Sequence, residues 1–177
     1  KRNHPVLTKD RYREIFTFPV RDYYIKAGFN FESEPFDVIA LEFMDLYFSK
    51  LPEANIFTEV RQVLSTFQRS KIKQLLISAM EHEALVNSVK EKGLFKFFNY
   101  ISGIQDHFAA GKTENAKKIV KELNLNLANT ILIGDTIHDF EVANDLGVQC
   151  LLRANGHQSI ERLKNLDCEV VENLGMV

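Results

Sequence analysis

The residues best suited to chemistry follow the apolar run Ile131-Leu132-Ile133-Gly134: Asp135 comes next, and Asp139 four residues later. A strand of this kind delivers Asp135 to the edge of a sheet, and a helix starting near Thr136 brings Asp139 towards the same spot. Carboxylate oxygens suit Mg²⁺, which binds one or two of them together with a substrate phosphate. The alternative is that Asp135 caps the helix and Asp139 is a solvated acid in its first turn.

Ser78 and Lys112 are suited to holding a phosphate. Ser78 ends the apolar run Leu75-Leu76-Ile77, and a hydroxyl at a strand end, backed by the N–H groups of the next helix, binds phosphate oxygens. Its alternative role is a helix cap. Lys112 follows Gly111 and opens a helix, where a cation is electrostatically unfavourable. Locally unfavourable choices are more common at functional sites, so we predict that Lys112 neutralises phosphate and carboxylates; the alternative is a solvent-facing lysine.

The pattern of apolar residues that predicts the surrounding helices and strands changes near Pro52. From Thr8 to Lys50 the apolar residues recur at helical spacing, with Gly28 expected to end a helix, and no strand is predicted. Residues 1–52 are therefore predicted to form a small all-helical domain. Beyond Pro52, short apolar runs alternate with amphipathic helices, which is typical of a parallel sheet covered on both faces. We predict an α/β domain with a doubly wound parallel sheet over residues 53–177.

The predicted elements of this second domain follow one another closely. Strands are predicted at 74–78, 100–103, 130–134 and 148–152, and helices at 56–67, 81–92, 112–123, 138–146 and 159–165. Because ligands of such folds bind beyond the carboxyl ends of the strands, the polar residues that end the strands are the candidates for chemistry.

The composition excludes several classes of protein. The chain is 45% hydrophobic and 26% charged with a net charge of −2, which is ordinary for a globular protein and leaves no basic surface for nucleic acid. No apolar run approaches the roughly 20 residues that cross a bilayer. Cys150 and Cys168 do not resemble a metal or redox pair, and they fit a reducing cytoplasm. His157, like the other scattered histidines, is expected to be solvated or structural, and the oligomeric state stays open.

Ser78, Lys112 and the pair Asp135 and Asp139 occur in the order and approximate spacing of the second, third and fourth motifs of the haloacid dehalogenase (HAD)-like hydrolases, which the chain resembles. The resemblance covers residues 56–177 and is closest in style to phosphoglycolate phosphatase-like members. It implies a Rossmannoid sheet, and the helical domain resembles the cap that many members insert between their first and second motifs. Arg21 lies between helical stretches of this cap. It is a candidate for binding a substrate carboxylate or second phosphate, and a surface salt bridge is its alternative role.

The resemblance also implies a reaction. Mg²⁺ would be held by Asp135 directly and by Asp139 directly or through water, while Ser78 and Lys112 hold the phosphate oxygens and take part in catalysis. The activity implied is hydrolysis of a small phosphorylated metabolite, a phosphoglycolate- or sugar-phosphate-like monoester, through an aspartyl-phosphate intermediate.

The first motif of the family, Asp-x-Asp-Gly-Thr at the end of an apolar strand, is not found in the chain. The early acids Asp10 and Asp22 follow no apolar strand and lack the Gly-Thr. In the family this strand lies between those that here end at Ser78 and Gly134. We therefore expect that roughly thirty further N-terminal residues supply the nucleophile, with Lys1 in or just after an early cap helix, and that the chain as written is inactive.

Two other functions stay open at this point. A phosphomutase of the beta-phosphoglucomutase type shares the architecture and the motifs present, and would isomerise a sugar phosphate without net release of phosphate. A non-catalytic HAD-like binding module would follow if the nucleophile is truly absent.

Overall fold

The computed structural model describes residues 6–104 and 112–176, so Lys1 and Gly111 lie outside the described residues. Within these ranges the chain forms eight α-helices and five β-strands. In chain order they are α1 (Lys9–Ile15), α2 (Val20–Lys26), α3 (Phe36–Lys50), α4 (Val60–Arg69), β1 (Leu75–Glu81), α5 (His82–Glu91), β2 (Tyr100–Ile104), α6 (Lys112–Glu122), β3 (Ile131–Gly134), α7 (Ile137–Leu146), β4 (Gln149–Arg153), α8 (Ile160–Leu163) and β5 (Glu169–Val171). Short 3₁₀ turns occur at Leu51–Glu53, Phe95–Phe97, Leu127–Asn129 and Leu174–Met176.

The first part of the chain is helical, as the sequence predicts, and its described residues contain no strand. Thr8 caps α1, its hydroxyl accepting a hydrogen bond from the Arg11 N–H at 3.1 Å. Gly28 follows α2 with φ of 98°, a left-handed conformation that favours glycine and stops the helix where the sequence indicated. The division into domains at residue 52 stays a prediction.

The five strands are all parallel, which confirms the predicted fold class, and they form two sheets. In one, β1 pairs with β2, placing Leu76 opposite Ile101. In the other the order is β3-β4-β5, with Ile133 opposite Leu151. The sequence did not predict β5, because its three residues are too few to show a periodic pattern.

Each of β1 and β3 has one edge that pairs with no other described strand. Ile131 and Ile133 on β3 are 48% and 38% exposed, although a strand this apolar is normally covered on both faces in a parallel sheet. As the end strands of their sheets, β2 and β5 have open edges too, and the strand expected between β1 and β3 stays a prediction.

Each sheet has its own hydrophobic core. Under β1 and β2 the buried residues are Leu85, Val89, Leu94 and Phe97. Around β4 the buried residues are Leu152, Ala154 and Leu163. Complete burial of a leucine stabilises the fold by about 1.5–3 kcal/mol, so these cores fix the strands that carry the polar residues at their carboxyl ends.

Three predicted boundaries were wrong. The strand β1 runs on to Glu81, past Ser78, because its pairing with β2 shifts register between Ile77 and Glu81 and then resumes. Helix α4 begins at Val60 rather than near Ile56; Ile56 still packs on the first core, but from the segment before the helix. Helix α8 covers only Ile160–Leu163.

Candidate active site

Asp139 fixes the start of α7. The side-chain oxygen of Thr136 accepts from the Asp139 N–H at 3.2 Å, and Asp139 Oδ2 accepts from the N–H groups of Asp135 and Thr136, both at 3.0 Å. This reciprocal capping box satisfies N–H groups that the first turn leaves without partners. Asp139 is only 3% exposed, so the alternative of a solvated first-turn acid is wrong, and so is a cap at Asp135, because Thr136 is the cap.

Lys112 contacts the second oxygen of Asp139. Its Nζ donates to Asp139 Oδ1, and the lysine side chain is 22% exposed. Burial alone raises the pKa of Asp139, but the charge and hydrogen bond of Lys112, together with the Thr136 and Asp135 hydrogen bonds, hold that pKa below its usual range. Asp139 is therefore an anion that Lys112 neutralises, and the solvent-facing alternative for Lys112 is wrong.

Asp135 follows β3, with its carboxylate directed to the loop after β4. Its Oδ2 accepts from the His157 N–H at 2.9 Å, and its Oδ1 accepts no hydrogen bond from the described residues. Two glycines make this packing possible. A Cβ at Gly156 would lie 2.0 Å from Asp135 Oδ2, and one at Gly134 would lie 2.3 Å from Asp139 Cγ. We call Lys112, Asp135, Thr136 and Asp139 the acidic corner.

Ser78 lies where the regular pairing of β1 with β2 stops, one residue after the pair Ile77 and Ser102. Its Oγ accepts from the Met80 N–H at 3.1 Å. The next helix is capped instead by Glu81, whose carboxylate accepts from N–H groups at its start, so the helix-cap alternative for Ser78 is wrong. The half-buried Ser78 hydroxyl lines a cavity, and its role towards a phosphate stays a prediction.

The structure does not bring Arg21 to this cavity. Arg21 is exposed on α2, its guanidinium carbon lies 4.9 Å from the centroid of the Phe31 ring, and it is not among the described residues that line the cavity. A cation over an aromatic face is a stabilising contact in itself. No ion pair of Arg21 occurs among the described residues, and its role in substrate binding stays a prediction.

The cavity, of about 720 Å³, lies between the helices of the first part of the chain and the carboxyl end of β1. We call its side formed by the helices the aromatic wall, which consists of Tyr12, Phe16, Tyr23, Tyr24, Phe43, Tyr47 and Phe48. Val20 and Met44 lie beside the wall, and the opposite side is formed by Ser78–Glu81, Ile104 and His157. Helical spacing in the sequence predicts that Tyr23, Tyr24, Phe43 and Tyr47 lie on apolar helix faces, but it does not show that these faces border a cavity.

His157 connects the aromatic wall to the acidic corner. Its Nδ1 forms a hydrogen bond with the Tyr12 hydroxyl, and its ring stacks on Phe16 with the centroids 4.6 Å apart. Its backbone N–H is the group that binds Asp135. Sequence reasoning missed this residue because its partner Tyr12 lies 145 positions away.

Gln158 forms a second connection, also missed. It is 1% exposed; its Oε1 accepts from the Ile137 N–H at 2.7 Å, and its Nε2 donates to the Phe16 carbonyl at 3.1 Å. Arg162 donates to the carbonyls of Arg13 and Phe16 at 2.9 and 2.7 Å. The end of α1 is thus bound to the start of α7 through buried hydrogen bonds.

Other groups in the described residues add no second centre. They contain no cluster of three or more His, Cys, Asp or Glu side chains placed to hold a metal ion. Cys150 and Cys168 are free, and burial together with the neighbouring Cys168 raises the pKa of the Cys150 thiol to about 12, which makes it a poor nucleophile. None of the helices in the described ranges is long and apolar enough to cross a membrane.

Comparison with known proteins gives one family match. The sequence model of the haloacid dehalogenase-like hydrolases matches residues 1–152. No curated protein matches the chain.

Several solved structures share the fold. A protein from Lactobacillus delbrueckii subsp. bulgaricus, provisionally assigned as a phosphoglycolate phosphatase, is 17% identical with a TM-score of 0.61; the match covers 68% of this chain and 51% of that one. A haloacid dehalogenase-like hydrolase from Streptococcus pneumoniae is 18% identical with a TM-score of 0.63, over 87% and 64%. Protein tyrosine kinase A from Mycobacterium tuberculosis is 13% identical with a TM-score of 0.78, over 97% and 80%. The chain thus spans about half to two thirds of the first two proteins.

Proposed function

This chain belongs to the haloacid dehalogenase-like hydrolase family, and on that premise we propose that it forms the larger part of a Mg²⁺-dependent phosphatase for small phosphomonoesters. The observation that carries the proposal is the acidic corner, where a fixed, ionised Asp139 paired with Lys112 stands beside Asp135 at the end of a parallel strand.

The acidic corner fits Mg²⁺. Asp135 keeps one carboxylate oxygen without a hydrogen bond from the described residues, whereas both oxygens of Asp139 have partners. Asp135 is therefore the direct ligand in this proposal, and Asp139 acts directly or through water. One or two carboxylates are enough for Mg²⁺, which completes its shell with water and substrate phosphate. The ion supplies positive charge that offsets the repulsion between an attacking carboxylate and a phosphate dianion.

Lys112 and Ser78 handle the phosphate in this proposal. Lys112 has three donors, of which Asp139 engages one among the described residues, and the proposal assigns the others to phosphate oxygens. The Ser78 hydroxyl lines the cavity and already accepts from Met80, which leaves its proton free to be donated. Both groups would thus stabilise a phosphate bound at the end of β1 by donating hydrogen bonds to its oxygens.

In this proposal the nucleophile belongs to a further strand that would lie between β1 and β3. Each of these strands offers an edge that pairs with no described strand, and Ile131 and Ile133 are exposed on β3. A parallel strand inserted there would pair on both sides and join the two sheets into one. An Asp at its carboxyl end would emerge between Ser78 and Asp135, where it would form the aspartyl-phosphate that water then hydrolyses.

The substrate and the setting are part of the same proposal. The partner is a small phosphorylated metabolite, of phosphoglycolate or sugar-phosphate type by family resemblance, and not a nucleic acid. Cys150 and Cys168 are free thiols, which agrees with a place in the reducing cytoplasm.

The first experiment is an intact mass of the natural protein, followed by a Mg²⁺-dependent phosphate-release assay on the same sample. We expect a mass roughly thirty residues above 20.4 kDa and release of phosphate that chelation abolishes. Asp135→Asn is expected to lower the rate on the order of 10³-fold, while Asp145→Asn, on the exposed part of α7, leaves it unchanged. A natural protein that contains the additional strand but releases no phosphate at any Mg²⁺ concentration would overturn the proposal.

A further inference from the structure

The aromatic wall makes most of the cavity apolar. Seven of the fifteen residues that line it are Phe or Tyr, and Val20, Met44, Ala79, Met80 and Ile104 add aliphatic surface. The four tyrosines stay neutral, because burial raises the pKa of Tyr12, Tyr23, Tyr24 and Tyr47 above the usual range. Such a surface binds a ligand by removing apolar area from water, which contributes roughly 25 cal/mol for each Å².

The charges around the cavity disfavour an anionic substrate body. No Lys or Arg occurs among the described residues that line it. Arg21, the cation expected to hold a substrate carboxylate, lies over Phe31 instead. A carboxylate moved from water to such a surface would lose its hydration without gaining a cation from the described residues that line it.

The cavity, as the described residues bound it, also has room for more than a small acid. Its volume of about 720 Å³ lies in the range of sites that enclose whole organic ligands. Phe48, Tyr47 and Met44 on α3 line it and remain 39%, 37% and 40% exposed, so apolar surface is left for a ligand to cover. The polar end of the cavity is at Ser78 and at His157, whose N–H binds Asp135.

We infer that the substrate is a phosphate monoester of an aromatic or similarly apolar, uncharged alcohol, with its phosphate at Ser78 and its body against the aromatic wall. This inference rests on the proposed function and narrows its substrate: among small phosphorylated metabolites it selects one with an apolar body over the acid or sugar type that the family resemblance suggests. Phe48 and Tyr47 are then specificity-determining residues, because they contact the substrate body and lie away from the acidic corner.

The test is calorimetric binding of two phosphonates, which cannot be hydrolysed at the P–C bond in this chemistry, to the intact protein with Mg²⁺. Benzylphosphonate carries an apolar body, and phosphonoacetate carries a carboxylate of small size. We expect benzylphosphonate to bind at least about tenfold more tightly, since burying one ring face contributes that much. Phe48→Ser should weaken benzylphosphonate about tenfold. Leu46→Ser, a matched change on the same helix at a residue that is 60% exposed and does not line the cavity, should not.

A gain of function gives an independent readout. Phe48→Lys places a cation in the wall and is expected to raise the affinity for phosphonoacetate while lowering that for benzylphosphonate. Equal or tighter binding of phosphonoacetate by the unaltered protein would overturn the inference, and so would equal effects of Phe48→Ser and Leu46→Ser. These outcomes are separate from the proposed function: phosphate release with a preference for the small acid refutes the inference alone, and the binding preference without phosphate release refutes the phosphatase alone.

Discussion

The acidic corner and the aromatic wall are joined through His157 and Gln158, and they are built in opposite ways. In the corner, Asp139 is 3% exposed and has a partner for each oxygen, and glycines at 134 and 156 allow the close packing. In the wall, Phe43 and Phe48 are 48% and 39% exposed, and Tyr47 contacts both of them through its ring.

The difference shows which part of the site is rigid by construction. Hydrogen bonds to a buried carboxylate have strict geometry, and leaving that charge without partners is costly, so the corner holds one arrangement. Ring contacts are non-directional by comparison, and a half-exposed ring gains more burial when a ligand covers it. Under the proposed function, the rigid region would carry the chemistry and the ring-packed region the choice of substrate.

The largest expected effect tests the rigidity of the corner. Lys112→Met leaves the Asp139 carboxylate buried without its cation and should lower the free energy of unfolding by about 3 kcal/mol. Urea unfolding followed by circular dichroism measures this change. The matched variant is Lys117→Met on the same helix, whose exposed pairs with Glu114 and Asp145 should contribute less than about 1 kcal/mol. Equal effects of the two variants would mean that the corner is no more rigid than the surface.

An intermediate effect tests the connection between the two regions. Gln158→Ala removes the acceptor of the Ile137 N–H and one donor to the Phe16 carbonyl. It should lower the free energy of unfolding by about 2 kcal/mol. Gln149→Ala, at an exposed position of β4, is the control and should be close to neutral. Hydrogen exchange should show faster exchange at the start of α7 in the first variant. Unchanged exchange there would show that the wall and the corner are held together by other contacts.

The smallest effect concerns a single hydroxyl. Tyr12→Phe loses the hydrogen bond to His157 Nδ1 but keeps the ring contacts, and should lower the free energy of unfolding by about 1 kcal/mol. Tyr47→Phe removes a hydroxyl that has no hydrogen-bond partner among the described residues and should be neutral. Thermal unfolding of both variants makes the comparison. If Tyr12→Phe is also neutral, the wall depends on ring packing alone.

The turn of the corner that joins Asp135 to Asp139 could be predicted from the sequence because its geometry is local. Asp135, Thr136 and Asp139 lie within five residues, and the turn of one helix brings them together. The order of strands and helices was also predictable, since each spans several residues of one periodicity. The cap alternatives for Ser78 and Asp135 failed because Glu81 and Thr136 occupy those positions.

The rest was hidden because it depends on contacts between distant residues. Tyr12 and His157 are 145 positions apart, and Gln158 reaches the carbonyl of Phe16 over 142. The helical stripe that holds Phe43 and Tyr47 predicts an apolar face but not what the face covers. Arg21 illustrates the same limit, because the residues around it in the sequence do not show whether its guanidinium lies over Phe31 or contacts a substrate.

The edges of β1 and β3 that pair with no described strand affect how readily the protein aggregates in solution. The backbone N–H and C=O groups along such an edge can form hydrogen bonds with an extended segment of another chain. Because Ile131 and Ile133 are partly exposed on β3, this edge also favours association through apolar contacts. This chain alone should therefore aggregate as its concentration is raised. A short extended peptide that pairs with the open edge of β3 should reduce the aggregation.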